Sequence, residues 1–171
     1  MTVAIRSFQK KDIPFKVKWI NDENNNKFLH YDLPLREDKT LEWYKTLRDR
    51  KDRVDYTITY HGEPAGLIGL LNIDLNQKNA EYYICLGEEK FKGKNIASVS
   101  TDYLLKKAHV EFGLQQIYLY TEVGNVQAQR LFEKQGFSQD QLLEKHLFHN
   151  GKYVDRYLYT LNLETYIEGA L

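Results

Sequence analysis

The chemistry-bearing residues of this chain concentrate where a β-branched and aromatic run breaks into Leu86-Gly87-Glu88-Glu89-Lys90-Phe91-Lys92-Gly93-Lys94-Asn95-Ile96-Ala97 and continues as an amphipathic segment. A strand, a basic glycine-containing turn and a helix start, in that order, make an anion site. The first N–H groups of a helix have no partner within it, and the helix dipole adds positive charge where they point. Lys92 and Lys94 would add charge to a cradle otherwise built of backbone amides, so phosphate is the ligand it suits. Cys85, just upstream, invites a covalent reading. A nucleophilic thiol needs a base and a lowered pKa, however, and the strand context is that of a small packing residue. This single cysteine has no disulfide partner within the chain. His146 and His149, three apart in a strand-like run, would face opposite sides, so the histidines offer no metal spacing and no metal is expected.

Those residues must be positioned by the segments around them. Val3 to Phe8 reads as a strand, and Lys11 to Trp19 as a helix capped by Asp12 or its neighbours, with Pro14 in its first turn. Asn21-Asp22-Glu23-Asn24-Asn25-Asn26 and the residues through Pro34 read as a long polar loop beside Trp19, Phe28 and Tyr31, before a second helix near Asp38 to Arg50. Strands are expected at Val54 to Tyr60 and Pro64 to Ile73, joined by His61-Gly62-Glu63, and at Ala80 to Leu86. From Ala97, the residues Val99, Tyr103, Leu104, Ala108 and Phe112 recur at helical spacing, and Gly113 sits at the C-cap. Gln116 to Thr121 returns to strand, Asn125 to Gln135 is helical and ends at Gly136, and Leu142 to Phe148 pairs with Tyr153 to Leu161 across Asn150-Gly151, the strongest short hairpin signal. The order predicts an α+β fold: one domain over residues 1–171, with a mixed, mostly antiparallel sheet of about seven strands flanked by about four helices.

Composition narrows the partners. With 24 Lys and Arg against 24 Asp and Glu, no global field draws the chain to nucleic acid or an anionic membrane, which leaves a small molecule as the expected partner. No segment approaches the roughly 20 apolar residues that span a bilayer, and the first residues lack a signal-length apolar run, so a soluble cytoplasmic protein is expected.

The turn Lys92-Gly93-Lys94-Asn95-Ile96-Ala97, taken with the segment from Asn125 to Gly136-Phe137, resembles the GNAT superfamily of acetyl-CoA-dependent N-acetyltransferases, whose order of elements matches over essentially the whole chain. In that family's pyrophosphate motif a Gln or Arg is followed by two further residues, a Gly, one residue, and Gly or Ala. Ala97 fits. Lys92 replaces Gln or Arg and keeps a donor, while Asn95 replaces the middle glycine and is the non-glycine type that most readily accepts a positive φ. The resemblance implies acetyl-CoA as co-substrate, held by Lys92, Gly93, Lys94, Asn95, Ile96 and Ala97. It also implies a contact from Asn125 and an added-strand contact from the backbone of Ile84, Cys85 and Leu86, which would offer an N–H to the thioester oxygen. Asn125 reads equally as a helix N-cap. Where the family often has a tyrosine that protonates the departing thiolate, this chain has Phe132. That leaves water, departure as the thiolate, or Tyr120 as a substitute acid.

Direct attack of an amine in a ternary complex needs a base, and Glu81 resembles the glutamate that many relatives use through a bound water. A strand glutamate raised by desolvation suits that role. The acceptor pocket implied by the resemblance lies between the early helices and the terminal hairpin, which makes Trp19, Asn21, Asp22, Phe28, Tyr31 and Asp155 the expected lining. The chain looks like the branch of amino-sugar, polyamine and ribosomal-protein N-terminal acetyltransferases. An Asn-rich loop with aromatics suits a nucleotide-linked amino sugar, whereas Asp22, Glu23, Asp32 and Glu37 suit a polyamine. A non-catalytic acyl-CoA-binding sensor is the alternative of another class, and a homodimer is part of the resemblance.

Overall fold

The computed structural model describes residues 2–170. Its strands are β1 (Val3–Ser7), β2 (Val54–Tyr60), β3 (Glu63–Asp74), β4 (Asn79–Leu86), β5 (Gln116–Glu122), β6 (Ser138–His149) and β7 (Lys152–Asn162). The helices are α1 (Ile13–Asn21), α2 (Glu23–Asn26), α3 (Glu37–Leu47), α4 (Ile96–Phe112), α5 (Val126–Lys134) and α6 (Leu163–Gly169). One sheet runs in the order β1-β2-β3-β4-β5-β7-β6, and only β4 and β5 are parallel. This is the α+β architecture expected, with two more helices than the four foreseen. The extra pair are short and are made by asparagine and aspartate caps: Asp22 accepts from Asn24 N–H to start α2, and Asn162 from Thr165 N–H to start α6.

Local chemistry accounts for the turns. His61 and Gly62 take φ of 50° and 82°, and Asn150 and Gly151 take 50° and 74°, so both hairpins close through two residues in the left-handed region. The first turn is therefore one residue shorter than His61-Gly62-Glu63, because Glu63 already pairs with Tyr60. Asp12, expected to cap the first helix, does not. Its fully buried carboxylate instead accepts from Arg6 at 2.7 and 2.8 Å, from Gln9 N–H at 2.8 Å and from Thr57 at 2.9 Å, joining β1 to β2.

The sheet carries a core on each face. Alternation along β4 sends Tyr82, Ile84 and Leu86 to the side covered by α4 and α5, where Leu104, Phe132 and Phe137 pack, and sends Tyr83 and Cys85 to the side covered by α1 and α3. Trp19 of α1 is 1% exposed, and its indole lies where a Cβ on Gly87 would project, just past β4. The missing side chain thus lets α1 press against the strand that leads into the basic turn. Gly87→Ala is expected to destabilise by about 1–3 kcal/mol through overpacking. In thermal melting this means a Tm lowered by about 2–4 °C per kcal/mol for a chain of this size.

Candidate functional site

Ladder pairing between β4 and β5 is confined to Asn79 with Gln116, Ala80 with Ile117 and Glu81 with Tyr118. Past that point the strands part, while β4 stays zipped to β3 as far as Leu86 and β5 stays zipped to β7 as far as Glu122. The facing edges of Tyr82–Leu86 and Leu119–Glu122 are left without a strand partner, and a cavity of about 1410 Å³ fills the gap. Such an edge is a template for one more extended chain.

On the α4 side, the cavity wall includes Lys92, Gly93, Asn95, Ile96 and Ala97, together with Asn125, Ala128, Leu131 and Phe132 of the α5 segment. Gly93 has φ of 72°, and Asn95 takes φ 61° and ψ 14° while making no side-chain cap. The substituted asparagine therefore occupies the left-handed conformation that the glycine it replaces would have adopted. The first intrahelical bond is Val99 N–H to the Asn95 carbonyl, so the N–H groups of Ile96, Ala97 and Ser98 are left without helical acceptors. Lys92 is ion-paired to exposed Glu89 at 2.7 Å. Lys94 departs from expectation: its ammonium stands 5.9 Å over the Tyr60 ring, in a separate shallow pocket, so its side chain does not join the cavity wall. Asn125 caps α5 through Ala128 N–H at 3.4 Å and also lines the cavity. Phe132 packs edge-on to Tyr82, whose hydroxyl is bonded to Thr101. Among the described residues the buried Thr121 hydroxyl has no hydrogen-bond partner, and it lines the same cavity.

Glu81 occupies the last paired position before the strands part. Its side chain lines the cavity and accepts from Asn72 at 2.9 Å. Burial pushes its carboxyl above the usual carboxylate range, against the Asn72 hydrogen bond and the charge of Arg156. On the same face, Tyr120 lies under the Arg156 guanidinium, 4.7 Å from ring centre to Cζ, with the His146 ring also 4.7 Å away. Arg156 donates from Nε and Nη2 to His146 Nδ1 at 3.1 and 2.9 Å, which puts the imidazole proton on Nε2. Neither Arg156 nor His146 was foreseen; they meet Tyr120 through the β5–β7–β6 register, which a linear pattern does not reveal. Burial pushes the Cys85 thiol up to about 11, and this agrees with a packing role.

The acceptor lining is corrected in four places. Phe28 and Tyr31 line the cavity, whereas Trp19, Asn21, Asp22 and Asp155 do not. Trp19 is core; Asn21 bonds both backbone groups of Leu35; Asp22 caps α2; and Asp155 accepts from Lys145 N–H at the bulge in β6. Sequence reading missed Lys16, Trp43, Arg53 and Tyr83, which line the cavity where α1 and α3 cover the sheet. The signal for Lys16 was a lysine inside the apolar stripe Ile13, Lys16, Trp19, Ile20. Its ammonium stands 3.8 Å over the Trp43 ring. A desolvated cation–π contact is worth about 2 kcal/mol, against a desolvation penalty of several kcal/mol for an ion. That imbalance lowers the Lys16 pKa to about 8, where burial is the main cause, and the charged form still predominates at neutral pH. Arg53 stacks on the same ring at 5.2 Å and forks onto Asp55 at 2.7 and 2.8 Å, while Tyr83 donates to Asp55 at 2.5 Å.

Among the described residues no helix is long and apolar enough to cross a membrane, and no group of three His, Cys, Asp or Glu could hold a metal ion.

The profile of the acetyltransferase (GNAT) domain matches residues 2–138. A spermidine N(1)-acetyltransferase of Vibrio cholerae is 26% identical over 155 residues, covering 90% of this chain and 88% of the relative. An L-amino acid N-acetyltransferase, AaaT, of Escherichia coli is 26% identical over 120 residues, covering 67% of this chain and 72% of the relative. The solved structure of the V. cholerae spermidine N-acetyltransferase in complex with CoA and spermine superposes with a TM-score of 0.87 at 24% identity, covering 96% of this chain and 98% of that one. These relatives give no support to the amino-sugar acceptor that the Asn-rich loop suggested. The asparagines of that loop instead tie backbone together: Asn25 donates to the carbonyls of Trp19 and Gly87, and Asn26 to that of Ile20.

The conformation of Asn95 yields a direct test. A β-branched residue at φ 61° is strained by about 1–2 kcal/mol. Asn95→Val is therefore expected to weaken acetyl-CoA binding about tenfold in calorimetric titration, while Asn95→Gly retains it.

Proposed function

Because the chain belongs to the GNAT acetyltransferase family, we propose that its cleft carries an acetyl group from acetyl-CoA to the primary amine of a small molecule by direct attack while both are bound, with Glu81 as the base. The observation that carries this reading is the position of Glu81 at the point where β4 and β5 part, inside a cavity that also reaches the α4 N-terminus. The residues present fit acetyl-CoA. Free amides of Ile96, Ala97 and Ser98 suit its phosphates, with Gly93 and Asn95 shaping the turn and Lys92 adding charge. The unpaired edge of Ile84, Cys85 and Leu86 suits the amide-bearing arm, and the orphaned Thr121 hydroxyl and the Asn125 side chain offer that arm polar partners. When bound, acetyl-CoA supplies the activated acyl group. Glu81 takes the proton of the acceptor ammonium on one carboxylate oxygen, directly or through water, and the charge of Arg156 favours the ionised carboxylate before the proton arrives. Tyr120 is a phenol on this face that also lines the cavity, and Phe132 has no proton to give.

The relatives named for spermidine put a polyamine forward as the acceptor, and Glu81 and Glu122, both in the cavity wall, are the carboxylates that would receive its ammonium groups. A specific observation weighs against a polycation in part of the cavity: Lys16 and Arg53 line it where α1 and α3 cover the sheet, and a further ammonium is unwelcome beside them.

Glu81→Gln is expected to lower kcat at least a hundredfold and to leave acetyl-CoA affinity within a factor of two, as read by thiol release and calorimetry. In the unchanged protein kcat/KM should rise with pH through an acid limb lying above the usual carboxylate range, since the raised Glu81 pKa delays loss of its proton. The same limb surviving in the Gln variant would remove Glu81 as the base.

A further inference from the structure

The charges lining the cleft are lopsided in a chain whose formal net charge is zero. Among the described residues seven lysines and arginines line the cavity against two carboxylates, Glu81 and Glu122. Both carboxylates are already engaged, Glu81 by Asn72 at 2.9 Å and Glu122 by His30 at 2.9 Å. The acidic residues of the early loop that would suit a polycation, Glu23, Asp32 and Glu37, are exposed and outside the cavity wall. Some of the cations belong with acetyl-CoA, since Lys92 and Lys134 lie toward α4 and α5. Lys16 and Arg53 do not, because they line the cavity where α1 and α3 cover the opposite face of the sheet.

Lys16 is the sharper of the two. It is only 6% exposed, and among the described residues its ammonium has no hydrogen-bond acceptor and no carboxylate within ion-pair reach. Its contacts are the π-faces of Trp43 at 3.8 Å and Tyr31 at 5.7 Å. Arg53 has its counter-ion in Asp55, through Nε and Nη2, and Asp55 also takes the Tyr83 hydroxyl. Asp55, the carboxylate whose charge bears on Lys16, is thereby committed elsewhere, and one buried positive charge is left facing the cavity. A buried cation held by aromatic faces without an acceptor is completed by an anion that arrives with the ligand. Glu81 and Tyr83 project from the same face of β4, two residues and about 7 Å apart along the strand. A small molecule that presents its amine to Glu81 thus places its other end beside Tyr83, where Arg53, Asp55 and Lys16 gather.

We propose that the acceptor is an amine that also carries an acidic group, a carboxylate or a phosphate, and that Lys16, with Arg53 beside it, seats that group. This rests on the reading that the cleft acetylates an amine. Matched pairs of acceptors test it: L-alanine with L-alaninamide for a carboxylate, phosphoethanolamine with ethanolamine for a phosphate, and spermidine as the polycation. With acetyl-CoA and thiol release as readout, the acid-bearing member of at least one pair should show kcat/KM at least tenfold above its neutral partner and above spermidine. The pair that responds identifies the source of the acidic group. Lys16→Met, which keeps the apolar stem over Trp43, should collapse that ratio at least tenfold, and Lys16→Arg should restore part of it.

A binding measurement separates this proposal from the reading beneath it. Inorganic phosphate titrated into the protein already loaded with CoA, which occupies the α4 turn, should bind, and Lys16→Met should weaken that binding at least tenfold while melting remains cooperative. Preference for spermidine or for the neutral amines, an acid preference indifferent to Lys16, or the absence of phosphate binding to the loaded protein would each overturn the anion seat. Phosphate binding that depends on Lys16, in a protein that acetylates none of these amines, would support the seat and overturn the acetylation reading instead.

Discussion

Everything the cleft offers depends on two parallel strands that pair over three residues and then part. Leaving backbone N–H and C=O groups unpaired in a half-buried place costs about 1–3 kcal/mol for each group that water does not reach, so the opening must be held by stronger pairing elsewhere. β5 is held across its whole length by β7, from Gln116 with Asn162 to Glu122 with Arg156. β4 is held by β3 through Leu86 with Gly66, and a Cβ at Gly66 would stand 2.6 Å from the Cys85 carbonyl. Each strand thus has a complete partner on its far side. Two further ties keep the wedge in place: Asn25 donates to the Gly87 carbonyl at the end of β4, and Gln135 of the α5 segment donates to the Ser98 carbonyl in the first turn of α4. A ligand able to add an extended backbone regains the pairing that the fold gives up.

The parting also sorts the chemistry by strand alternation. At positions paired in parallel, side chains point to the same side, so Glu81, Tyr83 and Cys85 share a face with Tyr118, Tyr120 and Glu122, while Tyr82, Ile84 and Leu86 share the other with Leu119 and Thr121. One face meets α4 and α5, with the free amides and the orphan hydroxyl. The other meets α1 and α3, with the aromatic rings, the buried Lys16 and the half-buried Arg53. The single opening joins them, and the proposed base stands on the second face at the apex.

Elements whose signals are local were legible in the sequence. The α4 periodicity with Gly113 at φ 63°, the Asn150-Gly151 hairpin and the positive φ of Asn95 each follow from a few adjacent residues, and each was foreseen. What escaped depends on partners far along the chain. Asp12 has the residue type of a cap, but Arg6 and Thr57 claim its carboxylate from two strands. The asparagines that read as a loose loop find carbonyls on α1 and beyond β4, and so wind a helix. Lys94 carries charge in the expected sequence position, yet Tyr60 on a neighbouring strand draws its side chain away. Lys16 looked like an ordinary helix lysine because Trp43, twenty-seven residues on, is what makes its burial tolerable.

The replacement of a tyrosine by Phe132 is less damaging than a missing catalytic group first suggests, because the two proton transfers in acetylation are unequal. An alkylammonium with a pKa of about 10.4 holds its proton firmly near neutrality, whereas a thiol of about 8.5 is already a fair leaving group without one. The carboxylate that removes the first proton is thus the group the reaction can least do without. Glu81 has the properties this transfer requires, being partly buried, raised above the usual carboxylate range, and kept ionisable by Arg156. Phe132 instead completes an aromatic cluster with Tyr82, Phe137 and Tyr159 that walls the cleft on the α5 side. A phenol hydroxyl there would need a partner of its own or, like Thr121, would stand unpaired until a ligand came. The phenylalanine therefore gives up a hydroxyl that this packing would leave in need of a partner and retains the apolar wall on the α5 side of the cleft.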